Sequence, residues 1–73
     1  MKLTLLAKDG ESKLKDCPSV YIADTGEFVV QGVQLSDADL RELKNPLPGE
    51  TAVRIHPDVV VRAVERYATE KPS

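Results

Sequence analysis

The sequence predicts a small α+β domain: an antiparallel sheet of about four strands, with a C-terminal helix on one face and a short helix at one end. Three observations predict it. Val20-Tyr21-Ile22-Ala23 and Glu27-Phe28-Val29-Val30 flank Asp24-Thr25-Gly26 like the arms of a hairpin. Residues 2–7 and 51–55 alternate apolar with polar, the period of a strand. Residues 57–68 open with Pro57-Asp58 and then carry apolar residues at helical spacing.

In residues 2–7, Leu3 and Leu5 fall on one side and Lys2 and Thr4 on the other; the strand ends before Asp9-Gly10. Residues 8–16 are polar, have no period and read as a mobile loop. Cys17-Pro18-Ser19 leads into the hairpin. Pro18 has no N–H for a ladder, so it belongs at a strand's start or on an edge. The hairpin turns through Asp24-Thr25 as a type I turn, with Gly26 in the left-handed region. That loop pairs Ile22 with Phe28, Tyr21 with Val29 and Val20 with Val30. Paired residues share a face. One face therefore carries Val20, Ile22, Phe28 and Val30, and the other Tyr21, Ala23, Glu27 and Val29.

Gly32 interrupts the apolar run and implies a bulge or bend, after which Val33-Gln34-Leu35 continues the strand. Ser36 is an N-cap, because its hydroxyl accepts from a free backbone N–H, and Asp37 and Asp39 complement the helix dipole. Leu35 and Leu40 have the spacing of a hydrophobic staple. Leu40 and Leu43 point inward, and Asn45-Pro46 stops this helix near Lys44. Residues 46–50 are a stiff connector with Leu47 as a plug. Val53 and Ile55 share a face of the next strand. In the last helix, Pro57 and Asp58 suit the first turn. Val60, Val64 and Tyr67, with Ala63 and Ala68, form the apolar stripe, and Asp58–Arg62 and Arg66–Glu70 are favourable i, i+4 pairs. Val59-Val60-Val61 is the weak point, since three β-branched residues disfavour a helix start. The competing reading of residues 59–63 is a strand returning from a turn at His56-Pro57-Asp58. Residues 70–73 read as a disordered tail. The expected core is Leu3, Leu5, Val20, Ile22, Phe28, Val30, Leu40, Leu43, Val53, Ile55, Val60, Val64 and Tyr67.

With 73 residues the chain forms one domain, 1–73, with a thin core. A chain this size buries only about 60% of its unfolded surface, and oligomerisation is one remedy. Its 41% hydrophobic and 30% charged content is that of a folded protein. Net charge is −2, unevenly spread: residues 24–50 hold six acids against two bases, a net −4. No strong basic stripe accompanies them, which argues against direct nucleic-acid binding through phosphate neutralisation. The acidic middle suits a basic partner, although a solvated helix surface is the simpler account. Cys17 is the single cysteine, so an internal disulfide is excluded and a reducing, cytoplasmic setting is expected. No apolar run approaches the roughly 20 residues of a membrane span, and the apolar stretch at the N-terminus is too short for a signal peptide.

Chemistry is sparse. Cys17 and His56 both flank a proline beside a strand and could pair as nucleophile and base. The simpler account is a buried or half-buried structural thiol without a catalytic role, because cysteine packs as a small hydrophobe. One Cys and one His fall short of a zinc site, which takes about four ligands. His56 reads instead as a helix-start residue touching the nearby loop. The four glycines never cluster into a phosphate cradle. Asp37 and Asp39 point to different sides and serve capping, not acid–base work. Tyr21, Phe28 and Tyr67 are too few for a base-stacking platform. No catalytic residue, cofactor or metal is expected.

Cys17-Pro18-Ser19-Val20-Tyr21, Asp24-Thr25-Gly26, Val29-Val30-Gln31-Gly32 and Pro48-Gly49-Glu50-Thr51-Ala52-Val53, followed by Ile55-His56-Pro57, together form a pattern. Over residues 17–68 it resembles short uncharacterised actinobacterial proteins that read Cys-Pro-Ser/Thr-Val, Asp-x-Gly, Val-Val-Gln-Gly and Pro-x-Gly-Glu. More distantly, it is similar to the streptomycete domain of unknown function that accompanies helix-turn-helix regulators; His56 stands where that domain has a serine. The resemblance implies an accessory or regulatory partner and carries over no catalytic residue.

The expected function is a non-enzymatic protein–protein interaction module, an accessory to a transcription regulator. Two alternatives stand beside it: a thiol-based redox sensor or small enzyme using Cys17, and a small-ligand or metal-binding domain. The expected partner is another protein or a second copy in a homodimer, with no membrane involved. The candidate surface is Tyr21, Ala23 and Val29, the face that a single helix packed on the other side of the sheet leaves open.

Overall fold

Asp24-Thr25-Gly26 closes the hairpin as its residues dictate. Gly26 N–H donates to the Ala23 carbonyl at 2.9 Å and Ala23 N–H to the Glu27 carbonyl at 2.8 Å. Gly26 takes a φ of +91°, which a residue with a Cβ resists. Strands β2 (Ser19–Ala23) and β3 (Phe28–Gln31) then pair in the expected register, with Ile22 opposite Phe28 and Val20 opposite Val30. The computed structural model describes residues 1–10 and 18–70. The mobile-loop expectation for 8–16 falls mostly, and that for Cys17 and 71–73 wholly, outside the described residues.

Strand β1 (Leu3–Lys8) adds to β2, making an antiparallel sheet of order β1-β2-β3. Lys8 is a strand residue rather than the start of a loop; it pairs with Ser19. The register slips within β1. Leu5 pairs with Tyr21 and Ala7 with Val20, which leaves Leu6 as the extra residue of a bulge. The bulge corrects the expected core. Leu6 and Ala7 are buried, whereas Leu3 and Leu5 fall on the Tyr21 face and are exposed. Strict alternation from Leu3 cannot register an inserted residue.

The chain leaves β3 at Gly32. A Cβ there would lie 2.5 Å from the Arg54 carbonyl oxygen, so only glycine lets the backbones approach. β4 (Val33–Gln34) pairs with β5 (Val53–Arg54) in a separate two-stranded sheet, so the α+β domain has three strands plus two instead of a single sheet of four. Between them α1 (Asp37–Leu40) starts as expected, with Ser36 Oγ accepting from Asp39 N–H at 3.2 Å. It ends four residues short of Lys44. Glu42 and Leu43 N–H groups donate three residues back, and Asn45 turns left-handed at a φ of +53°. A single turn that buries no residue has little packing to extend it. Leu40, Leu43 and Val53 are half-buried outside the main core cluster, and Leu47 is exposed rather than a plug.

α2 (Pro57–Glu70) makes residues 59–63 helix and takes in Glu70, where the sequence predicts the start of the tail. The His56 ring caps it: Nδ1 accepts from Asp58 N–H at 3.1 Å. Both expected ion pairs form, Asp58–Arg62 at 3.0 Å and Arg66–Glu70 at 3.1 Å. The helix phase differs from expectation. Val59 and Ala63 face the sheet, 1% and 0% exposed, with Tyr67 packed beside them. Val60 and Val64, expected in the core, are exposed. Ala63 presents only a methyl group and so permits a close helix–sheet approach. The core is Leu6, Ala7, Val20, Val59 and Ala63, with Ile22, Ile55 and Tyr67 packed against it.

Candidate functional site

The helix itself opens the candidate site. At about 100° per residue, Val59, Ala63, Tyr67, Val60, Val64, Ala68 and Val61 sweep roughly half of its circumference. Asp58, Arg62 and Glu65 occupy the opposite side. α2 packs over β1 and β2. Its charged flank is tied to β1: Arg62 Nη2 donates to the Lys8 carbonyl at 3.0 Å and Arg66 Nη1 to the Leu6 carbonyl at 3.5 Å. The opposite flank, Val60 and Val64, therefore turns toward β3.

β3 meets that flank without being covered by it. Phe28 and Val30 share the helix-bearing face with Val20 and Ile22. A ring contact bridges the gap, Phe28 edge-to-face on Tyr67 with centroids 5.2 Å apart. What remains is an apolar groove. Phe28 (43% exposed) and Val30 (41%) form its floor, and Val60 (37%), Val64 (46%) and Tyr67 form its wall. All four of these percentages belong to residues expected in the core, and the structure corrects that placement. One sheet two strands wide under the helix cannot cover half a helix circumference, so the surplus apolar arc opens outward.

The groove ends at an open strand edge. Because the Glu27 carbonyl accepts from Ala23, alternation along an antiparallel pair directs the backbone groups of Val29 and Gln31 toward β2. Those of Phe28 and Val30 point away from the sheet. Among the described residues, nothing pairs with them.

The expected surface, Tyr21, Ala23 and Val29, lies on the other sheet face. The register brings these three together and sets Leu3 and Leu5 beside them. Ala23 is buried, so it offers no contact; Tyr21 and Val29 are half-buried. The Tyr21 hydroxyl donates to Gln31 Oε1 at 2.6 Å. Leu3 is the β1 neighbour of Ala23, and both Leu3 and Leu47 are exposed.

For chemistry the described residues offer little. His56 Nδ1 is engaged in the helix cap. Among them, no group of three or more His, Cys, Asp and Glu could hold a metal ion. No described helix is long and apolar enough to cross a membrane. No protein-family model, curated protein or solved structure matches the chain.

Proposed function

We propose that this chain is a non-enzymatic protein–protein interaction module that docks its partner in the groove between α2 and β3. One observation carries the reading: four large apolar side chains, each more than a third exposed, line one groove beside an unpaired strand edge. Together they expose on the order of 300 Å², the size at which an apolar patch on a monomer is often functional. Covering it is worth roughly 8 kcal/mol gross at the usual area coefficient, about the size of the cost of association, so the groove alone supports only weak binding. The edge adds directional backbone bonds, as in strand-addition recognition. Tyr21, Val29, Leu3 and Leu5 provide a second, shallower apolar row on the opposite face. The resemblance to domains that accompany helix-turn-helix regulators supports a role as an accessory to a transcription regulator.

The test is capture from native lysate with wild type, Val30→Lys/Val64→Lys and Cys17→Ser as parallel baits. A specific partner retained by wild type and Cys17→Ser, and lost by the folded lysine variant, is the expected outcome. Equal retention by the lysine variant, or loss with Cys17→Ser, would overturn the groove as the docking site.

A further inference from the structure

We infer that the open β3 edge beside the groove pairs with a second copy of this chain, in antiparallel register about a two-fold axis at Val29. This rests on the reading of the groove as a docking surface, and it names the partner.

The backbone parity carries the inference first. The outward N–H and C=O groups of β3 belong to Phe28 and Val30. An antiparallel copy centred on Val29 places Phe28 opposite Val30 of the second copy, and Val30 opposite its Phe28. Each of these pairs joins two outward-facing residues, so each exchanges two N–H···O bonds. A register shifted by one residue would set outward groups against inward ones and lose them.

The side chains agree with that register. A two-fold axis normal to the sheet keeps both helices on the same face. The two floors merge into one apolar row running from Ile22 and Phe28 of one copy to Val30 and Val20 of the other. The flanks bearing Val60 and Val64 then face each other across this row, about four strand spacings of ~4.8 Å apart, as the two walls of one wider apolar trough. Those flanks carry no charge, so no like charges are brought together over the apolar floor. The ends also fit. Glu27 falls opposite Gln31 of the second copy, whereas a parallel pairing would set Glu27 against itself. On the other face Val29 meets Val29 beside Tyr21.

The area sets the strength. Even with all of the roughly 300 Å² of apolar groove per copy counted, the contact stays well below the ~800 Å² per partner of a standard interface. The dimer should be reversible and concentration-dependent.

Sedimentation equilibrium from ~1 μM to ~1 mM, the span over which such an interface titrates, is the experiment. It uses the full chain with and without reductant, in wild type and Val30→Lys. Amide exchange at Phe28 and Val30 is followed over the same range. The expected result is a monomer–dimer equilibrium in which protection of these two amides rises with concentration. Val30→Lys should weaken the dimer at least tenfold. A wild type that stays monomeric to the top of the range would overturn the inference. If lysate capture still depends on Val30 and Val64, the groove reading survives with a different partner; if capture is also unaffected, both fall. A dimer without protection at Phe28 and Val30 would place the interface elsewhere, and one lost on adding reductant would be a Cys17 disulfide. Either overturns the β3 pairing, and the exchange readout stands even if Val30→Lys fails to fold.

Discussion

Replacing Val59 and Val64 separately by alanine tests the helix phase on which the groove depends. The two valines share one helix, so the propensity gain on going to alanine, about 0.5 kcal/mol, is common to both. Burial is not. Val59 is 1% exposed and Val64 46%. Removing two fully buried methyl groups costs about 1.6 kcal/mol in transfer, plus about 1 for the space left behind. Net of the propensity gain, Val59→Ala should lose about 2 kcal/mol. At half-exposed Val64 the transfer loss is about 0.8 kcal/mol and no cavity forms, so the net change should be close to zero. Against a total stability of about 4–10 kcal/mol for 73 residues, Val59→Ala should lower Tm by roughly 10 °C. Urea unfolding followed by far-UV circular dichroism at ~1 μM, where association at micromolar Kd or weaker contributes little, measures both. A Val64→Ala loss equal to or larger than that of Val59→Ala would refute the helix phase and, with it, the groove.

Gly32→Ala should destabilise by about 1–3 kcal/mol, because a Cβ 2.5 Å from the Arg54 carbonyl oxygen forces backbone to move; a denaturation midpoint at or above wild type would contradict the close approach of β3's exit to β5. His56→Ala should cost about 1 kcal/mol through loss of the bond from Asp58 N–H, and thermal melts showing no change would mean the ring does not cap α2. Gly26→Val, at a φ of +91°, should cost about 1–3 kcal/mol while Gly26→Asn costs less; equal losses in chemical denaturation would argue against the left-handed turn.

The parts of this fold legible in the sequence are those set by local chemistry. Asp24-Thr25-Gly26 determines a turn, the turn determines a register, and the register determines which residues share a face. The Ser36 cap, the Pro57 helix start and both i, i+4 ion pairs are local in the same sense. The bulge at Leu6 is not. Leu5-Leu6-Ala7 is apolar throughout, so pattern alone cannot distinguish an inserted residue from regular alternation. Helix phase was equally hidden, since 59/63/67 and 60/64/67 are both apolar sets, and only the Arg62 and Arg66 bonds to β1 carbonyls decide between them. The groove followed the same limit. Apolar residues default to the core in any sequence reading, yet burial of apolar residues is a tendency that half of this helix does not obey. The signal for it was the width of the apolar arc, not any one residue.

The two edges of the three-stranded sheet are treated differently, and that asymmetry bears on how the protein works. An unpaired edge is a template for another strand, and folded proteins that must stay apart blunt it with bulges, basic side chains or a covering element. β1 has all three: the bulge at Leu6, Lys8 at its end, and Arg62 and Arg66 reaching from α2 to its carbonyls. β3 has none. Its residues run Phe28-Val29-Val30-Gln31 in unbroken register, without proline or lysine. An edge left bare only because the chain is too short to cover it would more naturally be the polar one. Here the bare edge is the apolar one, and it adjoins the uncharged flank of α2. Converting Val30 to lysine gives β3 the same protection that Lys8 gives β1, at a site already 41% exposed. The lysine should leave the fold nearly unchanged and remove association. Unfolding of that variant, read from the loss of dispersed amide signals, would mean that Val30 supports the core rather than an interface.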